Sequence, residues 1–429
     1  MDFEDVVIGS GLAALGAVIG LEHSASVLVL AGPQAGQFSY YDARHTVPCT
    51  YLGAGGLGNY WHGVIPTGWR HNFGASSNED FAATFARFYP HTPVRERLGT
   101  PGIFVPWRPI RPRRELHRLG VARGSRLTLR PELADRFSMG ERGVEVHAGG
   151  RVVRARRLWV AAGVLHSPAL LERSLGARVR RPVVSDHVFC YVGQADGLAA
   201  PRASRAWDGM FLPAWYAATT GTSNALYSLR PARFAFRELD FGIEQRAAFG
   251  LPTGSAVAKI SRRMSPGLIA EALFNRFGLW PDAERQSVYA QVLVPDAYVW
   301  QESDATPLQP CGDRIAAATE AARRNVPFDK VLLSRRPDVQ IPGIHLHHSV
   351  DVEALKACGI NTVDAPVQVV DASVLSRIGP DHHSFKMLLS AMTLARAAVA
   401  ARAPGGGEIV RHLVLAGDGL AGAGPTPEC

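Results

Sequence analysis

The chain has 429 residues, of which 47% are hydrophobic and 20% are charged, a composition typical of a folded protein with a large core. The formal net charge of +8 is small for this length, and no aromatic residues interleave with the arginines, so we expect no nucleic-acid partner. Arginines cluster at positions 108–118 and 151–157, which we interpret as a solvated face, with steering of an anionic partner as the alternative. The length predicts two closely joined domains.

The cysteines and the N-terminal segment indicate in which cellular compartment we expect the protein. Five cysteines, widely spaced and without a C-x-x-C pair, argue against a disulfide framework and a structural zinc site. The apolar stretch from Val6 to Leu21 follows acidic residues, whereas a signal peptide carries positive charge there. No stretch reaches the roughly 18 uninterrupted apolar residues of a membrane span. We therefore expect a cytoplasmic protein without a membrane span.

The first elements predict a βαβ unit with parallel strands. Val6–Ile8 is a short apolar strand, Leu12–Leu21 is a helix rich in small residues, and Ser26–Leu30 is a second apolar strand. Strand, glycine turn, helix and strand in this order are typical of dinucleotide-binding folds.

The turn between the first strand and the helix has the form G-x-G-x-x-A, with Gly9, Gly11 and Ala14 at the fixed positions. The first glycine makes the turn, the second lets a pyrophosphate approach the helix N-terminus, and the small third residue allows close packing. A tight turn without a ligand is the alternative. The second strand ends at Ala31, where this motif usually has a ribose-binding acid, so either another group holds the ribose or adenosine binding is weakened or lost.

Later segments alternate between regular and turn-rich patterns. We predict a glycine-dense loop at 53–58, a short helix at 81–88, a loop or crossing segment at 100–112, a hairpin at 143–160 and a helix at 167–174. Beyond residue 186 we predict strands at 189–192, 225–229 and 288–294 and helices at 269–277 and 315–324. A strand at 367–370 and a long helix at 385–401 then return to the first domain.

Five segments in chain order resemble the glucose–methanol–choline (GMC) oxidoreductases. They are the glycine turn at 9–14, Gly55–Trp61, Leu158–Leu171, Ser185–His187 and Val369–Leu375. Trp61 is similar to the tryptophan of the pyranose oxidase branch. The resemblance extends from residue 6 to about residue 398, but the part from 190 to 340 matches only in position.

The resemblance implies an α/β fold in which a Rossmann-like FAD-binding domain carries a second α+β substrate domain built on an antiparallel sheet. We expect residues 1–187 and 341–403 in the FAD-binding domain, 188–340 in the substrate domain, and 404–429 as a flexible tail. The residues expected to bind FAD are Gly9, Gly11, Ala14, Gly55, Gly56, Leu57, Gly58, Asn59, Ala162, Gly163, Asp371 and Ala372. Tyr60 stands where related proteins attach FAD covalently through a histidine, so we expect non-covalent FAD.

The resemblance also implies hydride transfer from a carbinol carbon to flavin N5, with a histidine as base. Alignment of the helix after residue 384 places His383 at the second catalytic position. The family's first catalytic histidine opens a His-x-x-Gly-Thr stretch that this chain lacks, and we prefer His345, then His347, with His348 also open. A neutral imidazole suits the role because its pKa lies near working pH.

Other interpretations of these histidines and of the whole chain stay open. The histidines can be ordinary hydrogen-bonded residues, and a metal site of His345, His347, His382 and His383 lacks a completing Cys or acid, so we expect no metal. We expect a small hydroxylated substrate and an FAD-dependent oxidoreductase acting on CH–OH groups. The electron acceptor is not specified. The alternatives are a redox-neutral flavin isomerase or biosynthetic oxidase, and a flavin-less binding or scaffold protein.

Overall fold

The computed structural model of the chain describes residues 2–40, 48–61, 63–67, 78–98, 100, 102–181, 183–196, 204–218, 224–231, 288–301, 309–310, 320, 330–333, 340–342, 345–362, 365–375, 378 and 382–400. The predicted tail at 404–429, the predicted helix at 269–277 and all of the predicted helix at 315–324 except Glu320 lie outside these residues.

Strands outnumber helices along the described part of the chain. The strands are β1 Phe3–Ile8, β2 Val27–Leu30, β3 Gln37–Tyr40, β4 Pro48–Leu52, β5 Ile65–Pro66, β6 Gly102–Pro106, β7 Leu127–Arg130, β8 Ala134–Gly140, β9 Gly143–Ala148, β10 Arg151–Val160, β11 Val183–Asp196, β12 Ser204–Arg205, β13 Gly209–Ala218, β14 Asn224–Pro231, β15 Val288–Gln301, β16 Gln309–Pro310, β17 Lys330–Leu333, β18 Gln340–Pro342 and β19 Val367–Val369. The helices are α1 Leu12–Gly20, α2 Asn78–Phe88, α3 Pro112–Arg123, α4 His166–Leu175, α5 Val352–Ala357 and α6 Ser384–Ala400.

A seven-stranded sheet contains the predicted βαβ unit. Its order is β7-β2-β1-β10-β9-β8, and β19 also pairs with β10. The pairs β7–β2, β2–β1, β1–β10 and β10–β19 are parallel, whereas β8, β9 and β10 form an antiparallel meander. The α/β fold class, the glycine turn between β1 and α1, and the hairpin at 143–160 are confirmed.

Alternate residues at the end of β1 face two different apolar clusters, which explains why Val6, Val7 and Ile8 are all apolar. Val7 packs with α1 and α6 in a cluster that also contains Ala14, the third small residue of the glycine motif. Val6 and Ile8 pack instead against the meander and α4. The sheet is therefore buried on both faces, and its C-terminal edge is left to carry loops.

A ten-stranded antiparallel sheet forms the second layer. Its path is β17-β11-β15-β14-β13-β6-β5, with β12, β16 and β18 paired to β13, β15 and β11. The predicted strands at 189–192, 225–229 and 288–294 lie in β11, β14 and β15. Two strands, β5 and β6, come from residues 65–106, within the first predicted domain segment, and β11 crosses the predicted boundary at 187. The domain limits stay a prediction.

A loop or crossing segment was predicted at 100–112, and the loop is wrong over much of this length. Residues 102–106 form β6, which pairs with β13, and Pro112 begins helix α3. The prolines suggested a loop, but Pro106 is the last residue of its strand and Pro112 lies in the first turn of its helix. Proline is tolerated at both positions because neither one needs its N–H for a regular backbone hydrogen bond.

The second arginine cluster is not wholly a solvated face. The Arg157 guanidinium is mostly buried and forms an ion pair with Asp5, with Nε 2.7 Å from Oδ1. The same carboxylate accepts hydrogen bonds from Trp159 Nε1 at 3.0 Å and from Ser24 Oγ at 2.6 Å. Because all of these bonds converge on one fully buried carboxylate, they join β1 and β10 to the turn before β2.

No helix in the described part of the chain has both the length and the apolar character of a membrane crossing.

Helices α1 and α6 approach each other so closely that glycine is required between them. A Cβ atom on Gly16 would overlap the carbonyl oxygen of Leu388, and one on Gly20 would overlap that of Met392. Both obstacles are helix backbone, which cannot move aside as a flexible side chain can. Gly16 therefore serves packing at the expense of helix propensity.

The change Gly16→Ala is expected to lower the free energy of unfolding by about 1–3 kcal/mol through overpacking. Gly120→Ala is the matched control, because Gly120 is also inside a helix but its added Cβ would meet only Leu129 side-chain atoms at 3.5 Å or more. There the better helix propensity of alanine is expected to stabilise the protein by up to about 1 kcal/mol. Thermal unfolding midpoints of the two variants should shift in opposite directions. A shift of the same sign in both would contradict this account of the helix contact.

Candidate cofactor and active site

The turn after β1 requires glycine at its first position. Gly9 has φ +113°, and a Cβ there would overlap the carbonyl oxygen of Ala161, the first residue after β10. Gly11 precedes α1, and a Cβ on it would meet nothing nearer than the Gly55 oxygen at 4.0 Å. No side chain caps this helix start. The first N–H groups of α1 therefore have no side-chain cap, as is usual at helix starts that bind phosphate groups.

A serine inside the motif joins the turn to the second glycine loop. Ser10 Oγ donates a hydrogen bond to the carbonyl of Ala31 and accepts one from the N–H of Gly55, both at 2.7 Å. Gly55 and Gly56 have φ values of +91° and +54°, which favour glycine. The predicted FAD residues of the two loops thus lie side by side. Ser10 was missed because it occupies a variable position of the motif.

The rest of the second loop is a 3₁₀ turn, Gly56–Tyr60, that contains Leu57. A Cβ on Gly58 would lie 2.6 Å from Pro112, so this glycine allows the loop to contact the start of α3. Asn59 donates from Nδ2 to the carbonyl of Ala54 at 2.7 Å. Gly58 and Asn59 therefore shape the loop through these contacts.

The loop after β10 is joined to the loop after β19 by one carboxylate. Asp371 Oδ2 accepts bonds from the N–H of Gly163 at 2.8 Å and from Ser167 Oγ at 2.5 Å, while Oδ1 accepts from the N–H of Ser373 at 3.0 Å and from its Oγ at 2.5 Å. Gly163, which follows Ala162, has φ +90°, and its added Cβ would meet nothing within 4 Å. Asp371 therefore positions the loops, since its lone pairs are already engaged within the protein.

The segment that carries the upstream histidines runs along these same loops. The N–H of His348 donates to the carbonyl of Ala372 at 3.1 Å, and the N–H of Val350 donates to that of Ser373 at 3.0 Å. Ser349 Oγ donates to the carbonyl of Val164 at 2.5 Å. The predicted cofactor loops and the predicted catalytic histidines are therefore neighbours.

Five histidines meet beyond these loops. The ring centroids of His345 and His383 are 4.4 Å apart, and His187 lies 5.3 Å from the first and 5.5 Å from the second. His347 and His382 are more distant, each 6.4 Å from one member of that group. The structure thus brings His345, rather than His347, next to His383. It also adds His187, whose signal in the sequence was the Asp-His pair.

The buried carboxylate of Asp186 fixes two of these histidines. Its Oδ1 accepts bonds from the N–H of His187 at 2.7 Å and from the N–H of His345 at 2.8 Å. Ser185 and His347 exchange two further backbone bonds, at 3.0 and 3.2 Å. The start of β11 is in this way held against the 345–350 segment, with the imidazoles on rigid backbone.

Side-chain contacts also orient individual rings. His345 Nε2 lies 3.2 Å from Ser384 Oγ, and His347 Nδ1 lies 3.2 Å from the carbonyl of His345. One ring nitrogen from each of His187, His345 and His383 lies within 4.8 Å of the other two, close enough for a shared metal ion. This trio differs from the four histidines that the sequence raised as a metal alternative.

Burial keeps two of these imidazoles uncharged. The pKa values of His187 and His383 both lie well below 6.5, first because burial removes water from the charged form and then because of neighbouring histidines, chiefly His345. Burial also lowers the pKa of His166. Neutral imidazoles keep one lone pair each, which is what proton acceptance requires.

Mild acid is therefore expected to destabilise the protein. Unfolded histidines bind a proton near pH 6.5, whereas folded His187 and His383 do so only at lower pH. In that window the unfolded state binds more protons, so the free energy of unfolding falls as pH falls, by about 1.4 kcal/mol per pH unit for each imidazole. Chemical unfolding between pH 7.5 and 5.5 measures the slope. His187→Gln should reduce this pH dependence of the free energy of unfolding by the contribution of one histidine. An unchanged slope would count against a neutral, buried His187.

Comparison with known proteins gives similarities of fold at low sequence identity. No protein-family model and no curated protein matches the chain. Pyridoxine 4-oxidase from Mesorbium loti is 15% identical, with 92% of this chain and 98% of that chain covered and a TM-score of 0.48. A fungal aryl-alcohol oxidase is 13% identical (96% and 99% covered, TM-score 0.46), and formate oxidase of Aspergillus oryzae is 12% identical (94% and 98% covered, TM-score 0.46). Similarity at this level does not determine a shared reaction.

Proposed function

We propose that this protein is an FAD-dependent oxidoreductase that oxidises the CH–OH group of a small alcohol, sugar or biosynthetic intermediate, with a buried histidine as base. The observation that carries the proposal is the contact between the His345 and His383 rings, 4.4 Å apart, beside loops suited to a dinucleotide. His348 and Val350 tie the histidine segment to Ala372 and Ser373, so the acid–base groups and the cofactor loops form one site.

The residues of the loops fit a dinucleotide. Gly9 and Gly163 have backbone angles that favour glycine, and side-chain positions at Gly11 and Gly163 are open. The uncapped start of α1 would hold the pyrophosphate through its N–H groups. Ala31 offers the ribose no carboxylate, and its carbonyl oxygen already accepts a bond from Ser10. The segment after the adjacent strand β7 brings the Glu132 backbone to this edge, where its carbonyl accepts a bond from the N–H of Gly32 at 3.2 Å, but the Glu132 carboxyl lies beside Gly149.

The histidines would manage the proton of the substrate hydroxyl. FAD, when bound, supplies the two-electron acceptor for the hydride. A neutral imidazole of the His345–His383 pair accepts the hydroxyl proton, and the other imidazole hydrogen-bonds the same oxygen. Burial of His383 excludes water from this exchange and keeps its ring uncharged. Asp186 holds the backbone of His345 in place through the whole process.

The first test is an absorption spectrum of the purified protein, with and without added FAD, before and after acid precipitation. Flavin bands in the acid supernatant are expected, because non-covalent FAD is released when the protein precipitates. Flavin that stays with the pellet would indicate a covalent link and direct attention to Tyr60. Protein that stays colourless with excess FAD would reject the proposal in favour of a flavin-less binding protein. Turnover without any external acceptor would favour the redox-neutral alternative.

A variant pair tests whether the flavin lies on the glycine turn. Gly11→Asp places a carboxylate at the helix start, where aspartate is a favourable N-cap, so folding should be unharmed. FAD binding should weaken at least about fivefold, because like charges about 4 Å apart repel by about 1–4 kcal/mol. Gly140→Asp is the control, since a Cβ on Gly140 also has open space around it, but Gly140 ends β8, which carries none of the predicted cofactor residues. Equal FAD affinity in both variants would place the cofactor elsewhere.

A further inference from the structure

His187 contacts His383, although the proposed function assigns His187 no role in binding the cofactor or in the His345–His383 acid–base pair. Its Nε2 is 3.4 Å from Nδ1 of His383, and both rings are buried. The backbone of His187 is fixed by Asp186. The contact joins residues 196 positions apart in the chain, between β11 and the start of α6.

In a hydrogen bond between two neutral imidazoles, one facing nitrogen is the donor and the other is the acceptor. Each ring has one N–H donor and one lone pair, and burial keeps both rings neutral. Only one of the two facing nitrogens can therefore carry hydrogen. If His383 donates, its other nitrogen is a bare lone pair. If His187 donates, the proton of His383 must sit on Nε2.

The surroundings of Nδ1 of His187, the ring nitrogen that faces away from His383, indicate which of these two arrangements is present. Its Nδ1 is buried and has no hydrogen-bond partner among the described residues. A proton on Nδ1 would strand an N–H donor, and orphaned buried N–H groups are rarer in folded proteins than unsatisfied acceptors. The proton of His187 therefore belongs on Nε2, where it is donated to His383.

We propose that His187 is a positioning residue that fixes the tautomer of His383 by donating a hydrogen bond from Nε2 to Nδ1. His383 then presents an N–H group at Nε2 to the substrate oxygen, and proton acceptance falls to His345. The orientation of the His383 ring is set by the same bond, as the partner of one ring nitrogen sets the role of the other. The catalytic consequence rests on the proposed function, whereas the tautomer itself does not.

The tautomer can be read directly by long-range ¹H–¹⁵N correlation spectra of protein labelled with ¹⁵N-histidine, without substrate or turnover. Peaks are assigned from the loss of single signals in His187, His345 and His383 variants. In the wild-type protein His383 should be protonated at Nε2. In His187→Leu, which removes the donor but keeps an apolar side chain, His383 should shift toward the Nδ1–H form. His187→Gln keeps an N–H donor and should retain the wild-type tautomer.

Several results would overturn the proposal. They are an Nδ1–H tautomer of His383 in the wild-type protein, the same tautomer in His187→Leu as in the wild type, or stoichiometric metal whose removal shifts the signals of all three histidines. The last result would mean that the trio is a metal site. His147→Leu, a substitution in β9, controls for the general effect of losing a histidine. A flavin-free protein with the expected tautomers would reject the proposed function but leave the role of His187 in place.

A kinetic readout separates positioning from simple loss of stability. Under the proposed function, His187→Leu should lower kcat at least about tenfold with little change in KM, because the bond it removes orders a group that acts in the transition state. His187→Gln should restore most of that loss. If both variants reduce activity equally, the role of His187 is packing alone.

Discussion

His383→Ala is expected to lower the rate of flavin reduction by about 10²–10⁴-fold while leaving FAD bound. The His383 ring adjoins both His345 and His187, so its loss removes either a proton acceptor or a donor to the reacting oxygen. The loss is expected in kcat/KM and in kcat alike, because the contact strengthens as charge develops on that oxygen. Single-turnover bleaching of the flavin band with an excess of alcohol measures it.

His382→Ala is the matched control for this prediction. The two histidines are neighbours in the chain and are equally buried, each 4% exposed, so their removal leaves similar cavities. His382 lies outside the trio whose ring nitrogens meet within 4.8 Å. Its variant should keep flavin reduction within about tenfold of the wild-type rate, since no proton-transfer group is lost. A loss as large as that of His383→Ala would mean that the cavity, rather than the imidazole, accounts for the effect.

The conformation of the loops proposed to hold the cofactor could be predicted from the sequence because its signals are local. Gly9 and Gly11 act within one turn, and the strand and helix on either side are evident from apolar patterns of a few residues. The conformation of the turn and the position of Gly163 after β10 then follow from backbone geometry. The role of Asp371 needed the structure, since its four hydrogen bonds include two that reach back more than 200 residues, to Gly163 and Ser167.

The histidine cluster proposed to be catalytic was harder to predict because its residues come from three separate segments. His187 was visible only as part of an Asp-His pair, and its partner His383 lies 196 residues away. The choice between His345 and His347 was open because both lie on one short segment. In the structure, the ring of His345 contacts His383, whereas His347 Nδ1 faces the carbonyl of His345. The strand β6 was missed for a related reason, since its partner β13 lies about 100 residues later and prolines flank it.

Asp371→Asn is expected to lower the free energy of unfolding by about 3–5 kcal/mol, although the side chain keeps its shape. The wild-type carboxylate accepts bonds from Gly163, Ser167 and both polar groups of Ser373. In asparagine an NH₂ group replaces one carboxylate oxygen, so a hydrogen-bond donor faces the N–H and O–H donors that the oxygen had accepted from. The serine hydroxyls can rotate to accept, but a backbone N–H cannot, so at least one buried N–H loses its acceptor. Urea unfolding of flavin-free protein measures the loss without a contribution from bound cofactor.

Asp351→Asn makes the same chemical change at an exposed site. Asp351 precedes α5 and accepts bonds from the N–H groups of Glu353 at 3.0 Å and Ala354 at 3.2 Å. Asparagine is about as good as aspartate at this helix-capping position, so the change should stay within about 0.5 kcal/mol. Small effects at both positions would mean that the loops after β10 and β19 do not depend on the buried carboxylate.

A further variant distinguishes the loss of one hydrogen bond to Asp371 from the donor-to-donor contact that Asp371→Asn creates. Ser167→Ala removes one of the four donors to Asp371 and leaves three in place, so its cost should be about 1.5–3 kcal/mol, less than that of Asp371→Asn. FAD affinity should fall in the same order, because Gly163 and Ala372 are held only as firmly as the carboxylate between them. If Asp371→Asn abolished FAD binding without loss of stability, Asp371 would act on the cofactor directly rather than through the loops.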